Sequence, residues 1–230
     1  FRGVAFEYRW RTKRWKKIWD LAFCGGALVA ATMQGIALGS LVQGIEITDR
    51  SYAGGWWDWL TPFSVLTGCA VVIGYALLGS TWLILKTENS LQQQMKHYTR
   101  WLATATLFFI GGISIFTPFQ DPIYFQRWFS LPTGILTLLI PSAVLIAAWA
   151  LFAGLRVRKD GQPFFAALSL FILCFIGIGI SFYPNILPPN LTIVEAAAPD
   201  ESLRFALVGT VVLVPMILSP KGALLAAKCY

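Results

Sequence analysis

Residues 21–45 read LAFCGGALVAATMQGIALGSLVQGI, an unbroken stretch without one charged side chain. Wound as a helix it is about 37 Å long, more than the roughly 30 Å hydrocarbon core of a bilayer. Five more uncharged runs follow: Trp59–Leu85, Trp101–Gln120, Trp128–Leu155, Gly161–Val194 and Phe205–Pro220. Backbone N–H and C=O groups find no water in hydrocarbon, so such runs must close their hydrogen bonds internally as helices. The expected fold is all-α, a single polytopic transmembrane bundle over 1–230. Its six expected spans cover approximately 20–45, 60–85, 101–120, 132–155, 163–183 and 202–219, behind a basic, aromatic cytoplasmic segment at 1–19.

Composition agrees. Hydrophobic residues make up 57% of the chain and charged ones 13%, about half the charge of an ordinary soluble domain, and the mean hydropathy is +0.65. The net charge of +7 raises the question of nucleic acid, but its placement answers it. Fifteen of the 18 Lys and Arg residues fall in the first segment and in alternate loops; only Arg50, Arg127 and Arg204 fall in the others. Positive charge stays on the cytoplasmic side. Both ends are therefore expected in the cytoplasm, with outward loops near 46–58, 121–127 and 195–204, and no nucleic-acid partner. The segment before the first span places Trp10, Trp15 and Trp19 among Arg and Lys, a pattern suited to the anionic lipid surface.

Within the first span, Gly35 and Gly39 are four residues apart and share a face where another helix can approach closely; Ala70 and Gly74 repeat the spacing in the second. Gln34 and Gln43 are the polar exceptions. An amide at membrane depth needs a partner, on a neighbouring helix or in a polar cavity. The outward stretch Tyr52–Leu60, YAGGWWDWL, reads as an aromatic belt or a surface for a partner subunit. Pro141 is expected to kink or open the fourth span. Tyr183–Asn190, with three prolines, is expected to be extended, and Asp200 or Ser202 to cap the last helix, with Glu201 in its first turn.

The chemistry available is narrow. Haem iron takes His, Met, Cys or Tyr axially, yet the only histidine, His97, lies in a charged loop, and Met33, Met95 and Met216 are scattered. Cys24, Cys69, Cys174 and Cys229 lack metal-site spacing. No phosphate-binding loop, dinucleotide fingerprint or nucleophile elbow occurs. Titratable groups at the membrane edges are Glu7, Asp20, Lys86 and Glu88 on the cytoplasmic side, and Glu46 and Asp58 outside. Each is either a solvated interface charge or a step in proton or cation movement. The chain opens at Phe1 without Met and its sixth run holds 16 residues, so it is expected to be a fragment.

An ordered set of short motifs resembles subunit II of the cytochrome bd ubiquinol oxidases. It begins with Phe1-Arg2-Gly3-Val4-Ala5-Phe6-Glu7-Tyr8-Arg9 and Trp19-Asp20-x-Ala22-Phe23. Gln34-Gly35-x-x-Leu38-Gly39-x-x-Val42-Gln43-Gly44 and Lys86-Thr87-Glu88 follow. It resumes with Tyr183-Pro184-x-Ile186-x-Pro188-Pro189-x-Leu191-Thr192-Ile193, Ala196-Ala197-Ala198 and Ser202-Leu203. The resemblance implies a bacterial inner-membrane protein that carries no haem itself and is not catalytic alone. Its implied partners are membrane lipid, a small accessory subunit and a haem-bearing subunit I. That subunit, with haems b and d, oxidises quinol, reduces dioxygen to water and generates proton-motive force. Family members have nine helices, three of them before the position of Phe1, and depart from this chain at Ser219-Pro220-Lys221-Gly222. Under this reading Glu7, Asp20 and Glu88 are the proton-path candidates, the catalytic and metal positions are none, and no quinone position is assigned. A second reading of the same residues is a small-solute transporter, in which Gln34, Gln43, Pro141 and the glycine faces would build a broken helix around a central site. A structural scaffold is the third.

Overall fold

The computed structural model describes residues 3–4, 8–9, 15–45, 47–48, 51–120, 125, 128, 133–157, 160–187 and 191–218. Five long helices dominate: α1 (Lys16–Gln43), α2 (Pro62–Lys86), α3 (Asn89–Phe116), α4 (Thr133–Arg156) and α5 (Gln162–Phe182). A 3₁₀ turn, Thr117–Phe119, extends α3, its form following from Pro118, which has no N–H to give. Two strand pairs lie in connections. β1 (Ile47–Thr48) and β2 (Ser51–Tyr52) are antiparallel with Ile47 opposite Tyr52. β3 (Asn185–Leu187) and β4 (Leu191–Thr192) follow α5; the extended stretch expected at 183–190 is thus described as far as Leu187. Then come the single turn α6 (Ile193–Ala196) and α7 (Asp200–Leu218). By contacts the chain divides into two compact units, Phe1–Leu191 and Thr192–Tyr230.

Among the described residues, five helices are long and apolar enough to cross a membrane, not six. The sixth expected span, 202–219, is not one of these five. α7 has 19 residues, but Asp200, Glu201 and Arg204 occupy its first turns. The uncharged remainder, 205–218, reaches only about 21 Å as helix, short of the roughly 30 Å core. Neither Asp200 nor Ser202 caps α7 from outside. The carbonyl of Pro199 accepts from the N–H groups of Ser202 and Leu203, and Asp200 and Glu201 both sit in the first turn, facing the positive end of the helix dipole.

In the first unit, α2 is the central element, packed against α1, α3 and α5, while α4 pairs with α5. Its start is strongly specified: Thr61 accepts from the Ser64 N–H at 3.0 Å, the Ser64 hydroxyl accepts from the Thr61 N–H at 2.9 Å, and Pro62 holds the first helical position. The main core joins Leu77 and Ile84 of α2, Ala103 of α3, Leu151 and Leu155 of α4, and Ala167 and Leu170 of α5. Stacking of Tyr75 on Phe171 and edge contact of Trp82 with Phe164 add to the α2–α5 interface. α4 runs through Pro141 without interruption.

α3 begins at Asn89, well before the uncharged run at Trp101. Gln92, Met95, Thr99, Ala103 and Thr106 form one inward stripe at helical period, so the segment is amphipathic and continues past the apolar zone. Only Thr87 and Glu88 separate α2 from α3, and Asn89 makes the turn in the left-handed region at φ 61°, which Asn tolerates better than most residues.

Candidate functional site

Several polar side chains of the first two uncharged runs meet along the α1–α2 seam. Gly35 and Gly39 face α2 and are buried. A Cβ on Gly35 would lie 2.6 Å from both Gly68 Cα and the Thr67 carbonyl oxygen, and one on Gly39 would lie 2.6 Å from Ser64 Cα. The two backbones touch because neither glycine has a side chain. Thr67 bridges this contact: its hydroxyl is 2.7 Å from both the Gly35 and the Ser64 carbonyl oxygens, which share its proton. Gly74, further along α2, instead faces the ring of Phe171.

Gln43 lies at the last residue of α1. Its side-chain oxygen accepts from the Thr61 hydroxyl, and its amide donates to Gln120 Oε1 at 3.3 Å. That chain of groups ties the ends of α1 and the α3 extension to the α2 cap. Val42, Phe63, Ile113 and Phe182 close an apolar cluster at the same end. Gln34 is placed differently. It is exposed on the bundle surface, and its oxygen accepts from the Tyr75 hydroxyl at 3.0 Å. Ala70 is half-buried.

Of the charged candidates, Glu7 lies outside the described residues. Asp20 pairs with the Arg9 guanidinium through Nε and, at 3.4 Å, through Nη2; both side chains are about half exposed. Tyr8 stacks on Trp19 beside this pair, with ring centroids 5.5 Å apart. The carboxylate raises the proton affinity of Arg9 still further above its ordinary value, first by the hydrogen bond and then by charge. Glu88 is exposed at the residue before α3 and makes no side-chain cap. Asp58 accepts from the Gly55 N–H, with the Tyr52 hydroxyl at 3.5 Å. The structure thus brings Gln43 to Thr61 and Gln120, and Asp20 to Arg9, but does not assemble Asp20 and Glu88 into one cluster.

Sequence reading did not single out Thr67, Tyr75, Gln120 or the Lys96–Asp160 ion pair, in which Nζ and Oδ1 are 2.8 Å apart. Thr67 and Gln120 carried a usable signal, as polar residues in uncharged runs. The ion pair carried none, since its partners are 64 residues apart.

Among the described residues no three His, Cys, Asp or Glu side chains cluster as a metal site. His97 is exposed near the polar end of α3, beside Tyr98, while Met95, two residues away, packs on the main core. Cys24, Cys69 and Cys174 are free thiols.

Among the described residues, the helices pack through apolar side chains and neutral hydroxyl and amide contacts, with charge at helix ends and at the start of α3. Comparison with known families places the chain. Residues 1–225 match the family described as cytochrome bd terminal oxidase subunit II. The chain belongs to that family. It is similar to the probable cytochrome oxidase subunit 2 of Haemophilus influenzae, 23% identical over 234 residues, covering 88% of this chain and 60% of that protein. It is also similar to the cytochrome bd-I ubiquinol oxidase subunit 2 of Escherichia coli K12, 25% identical over 267 positions, covering 100% of this chain and 69% of that one. The chain therefore spans 60 to 69% of the length of these relatives.

Proposed function

We propose that this subunit II works in a bd-type quinol oxidase, beside a haem-bearing subunit I that oxidises quinol and reduces dioxygen to water. The family match over residues 1–225 carries the reading. Haems b and d belong to the partner, and this chain binds none, which fits the exposed position of its one histidine. Its contribution is to complete the bundle against lipid and to support proton access. The start of α1 faces the cytoplasm of a bacterial inner membrane; five crossings rather than six leave the end of α5 on the outer side, so the placement of both ends on one side does not carry over. Lys16 and Lys17 at the start of α1, Lys86 at the end of α2 and Arg156 at the end of α4 support that orientation by the positive-inside rule.

Gentle purification from native membranes, with a reduced-minus-oxidised spectrum and intact masses, tests the assignment. Haem b and d bands with a second large subunit are expected; a haem-free preparation of this chain alone would overturn it. At residue level, Glu7, Asp20 or Glu88 delivers protons from the cytoplasm. Glu88 supports this by its exposure, and Asp20 by its place at the base of a span, paired with Arg9. Glu7→Gln, Asp20→Asn and Glu88→Gln, made singly in the assembled oxidase, test it. At least one should slow turnover severalfold, and unchanged turnover and proton release in all three would remove the proton path while leaving the family assignment standing.

A further inference from the structure

The outward connection between α1 and α2 encloses a cavity of about 610 Å³ that the oxidase reading does not use. Its walls include Ser40, Gly44, Tyr52, Trp56, Asp58 and Trp59. The volume falls in the range of small-molecule sites. The loop is built around the carboxylate. A Cβ at Gly54 would lie 2.6 Å from Asp58 Oδ2 and 2.7 Å from Tyr52 Cζ, and one at Gly55 would lie 3.0 Å from Asp58 Oδ1. Two glycines thus let Asp58 fold back onto the turn, where the Gly55 N–H and Tyr52 hydroxyl hold it. The Trp59 indole N–H donates to the Trp56 carbonyl at 2.8 Å and fixes that ring.

A carboxylate has about four acceptor positions, two are engaged here, and no Lys or Arg among the described residues pairs with Asp58. Indole and phenol faces are electron-rich and attract ammonium groups within about 6 Å. The connection starts and ends at helices that cross the membrane, so it lies at headgroup depth, where aromatic belts sit. Trp56 is 93% exposed and belongs to that layer.

We infer that this cavity binds an organic ammonium group, with Asp58 as counter-ion and the Trp56, Trp59 and Tyr52 rings as its cage. The ammonium comes from an ethanolamine phospholipid headgroup or from a soluble amine, and the two sources are separable. Asp58→Asn is the discriminating variant: the amide oxygen still accepts from Gly55 while the charge is gone. Trp56→Leu is the second, because so exposed a ring contributes nothing to packing.

The protein is purified with whatever subunits accompany it. Retained phospholipid is counted by native mass spectrometry after transfer into nanodiscs of phosphatidylglycerol and phosphatidylethanolamine. Tetramethylammonium chloride is titrated against the delipidated protein, followed by tryptophan fluorescence. Wild type should bind the ammonium probe saturably, and each variant about tenfold more weakly with an unchanged melting temperature. Phosphatidylethanolamine retained by wild type and lost from Asp58→Asn identifies the lipid source; probe binding without lipid retention identifies a soluble amine. Equal behaviour of wild type and both variants in both measurements would overturn the inference.

Discussion

Gly35→Ala tests how tightly α1 and α2 depend on backbone contact. The added methyl would lie 2.6 Å from Gly68 Cα and from the Thr67 carbonyl oxygen, and 3.0 Å from Gly68 N. All three are backbone atoms, so no side chain can rotate away. Carbon atoms settle near 3.5–4.0 Å, so the helices must separate by about 1 Å. Overpacking of this kind costs about 1–3 kcal/mol, and the stretched Thr67 hydroxyl bond to Gly35 about 0.6 kcal/mol more in a membrane. Alanine returns up to about 1 kcal/mol through helix propensity. Gly25→Ala, in the same helix but with nothing within 4 Å of its new methyl, gains that propensity without the clash. The two variants should therefore differ by about 2–3 kcal/mol, roughly 30- to 150-fold in the unfolding equilibrium. Titration with dodecyl sulfate in mixed micelles, followed by far-ultraviolet circular dichroism, measures the difference. Coincident midpoints for the two variants would refute the close-contact reasoning.

Thr67→Val keeps the shape of the side chain but removes the hydroxyl shared by Gly35 and Ser64, and should cost about 0.6–1.7 kcal/mol in the same titration, with Thr67→Ser near wild type. Lys96→Met should cost no more than about 1 kcal/mol, because the pair with Asp160 is partly solvated, and the loss should shrink in 1 M salt. In the second unit the Glu195 carboxyl is held below its ordinary range by the Thr192 N–H and then by the Thr192 side chain. A lowered folded value means the box stabilises α6 at neutral pH and fades as pH falls below about 4.5. Protection factors of the Thr192 and Glu195 amides, corrected for the intrinsic pH dependence of exchange, should fall there, and Glu195→Gln, which can still form the box, should remove that fall.

Span positions were legible because hydrocarbon imposes a simple rule on charge, and residues 21–45 and 161–182 obey it without exception. Counting uncharged residues failed at the last run for a related reason. It gave too little weight to Asp200, Glu201 and Arg204 at the start of α7. α3 was read too short because a charge count sees only the bilayer, whereas its first turns are shaped by the Gln92–Met95–Thr99 stripe against the bundle. Spacing alone marked Gly35 and Gly39 as a face. That the face meets Gly68 and Thr67 depends on which helices are neighbours, and no local period encodes that. The same holds for Arg9 with Asp20 and for Gln43 with Gln120, contacts made by chain segments that meet only after folding.

The length of α3 turns it into a pointer. Its 28 residues measure about 42 Å, and the first part, 89–100, projects about 18 Å beyond the uncharged stretch. That projecting part is fastened on two sides, by the Gln92 amide to the Ile84 carbonyl at 3.0 Å and by Lys96 to Asp160. If α3 swings by about 5° around its midpoint, each end moves by about 2 Å. Lys96 lies about 10 Å from that midpoint and moves by only about 0.9 Å, which its 2.8 Å pair with Asp160 can follow. The pair therefore acts as a stay, tying the part of α3 that stands outside the apolar zone to the connection before α5 while the helix rocks.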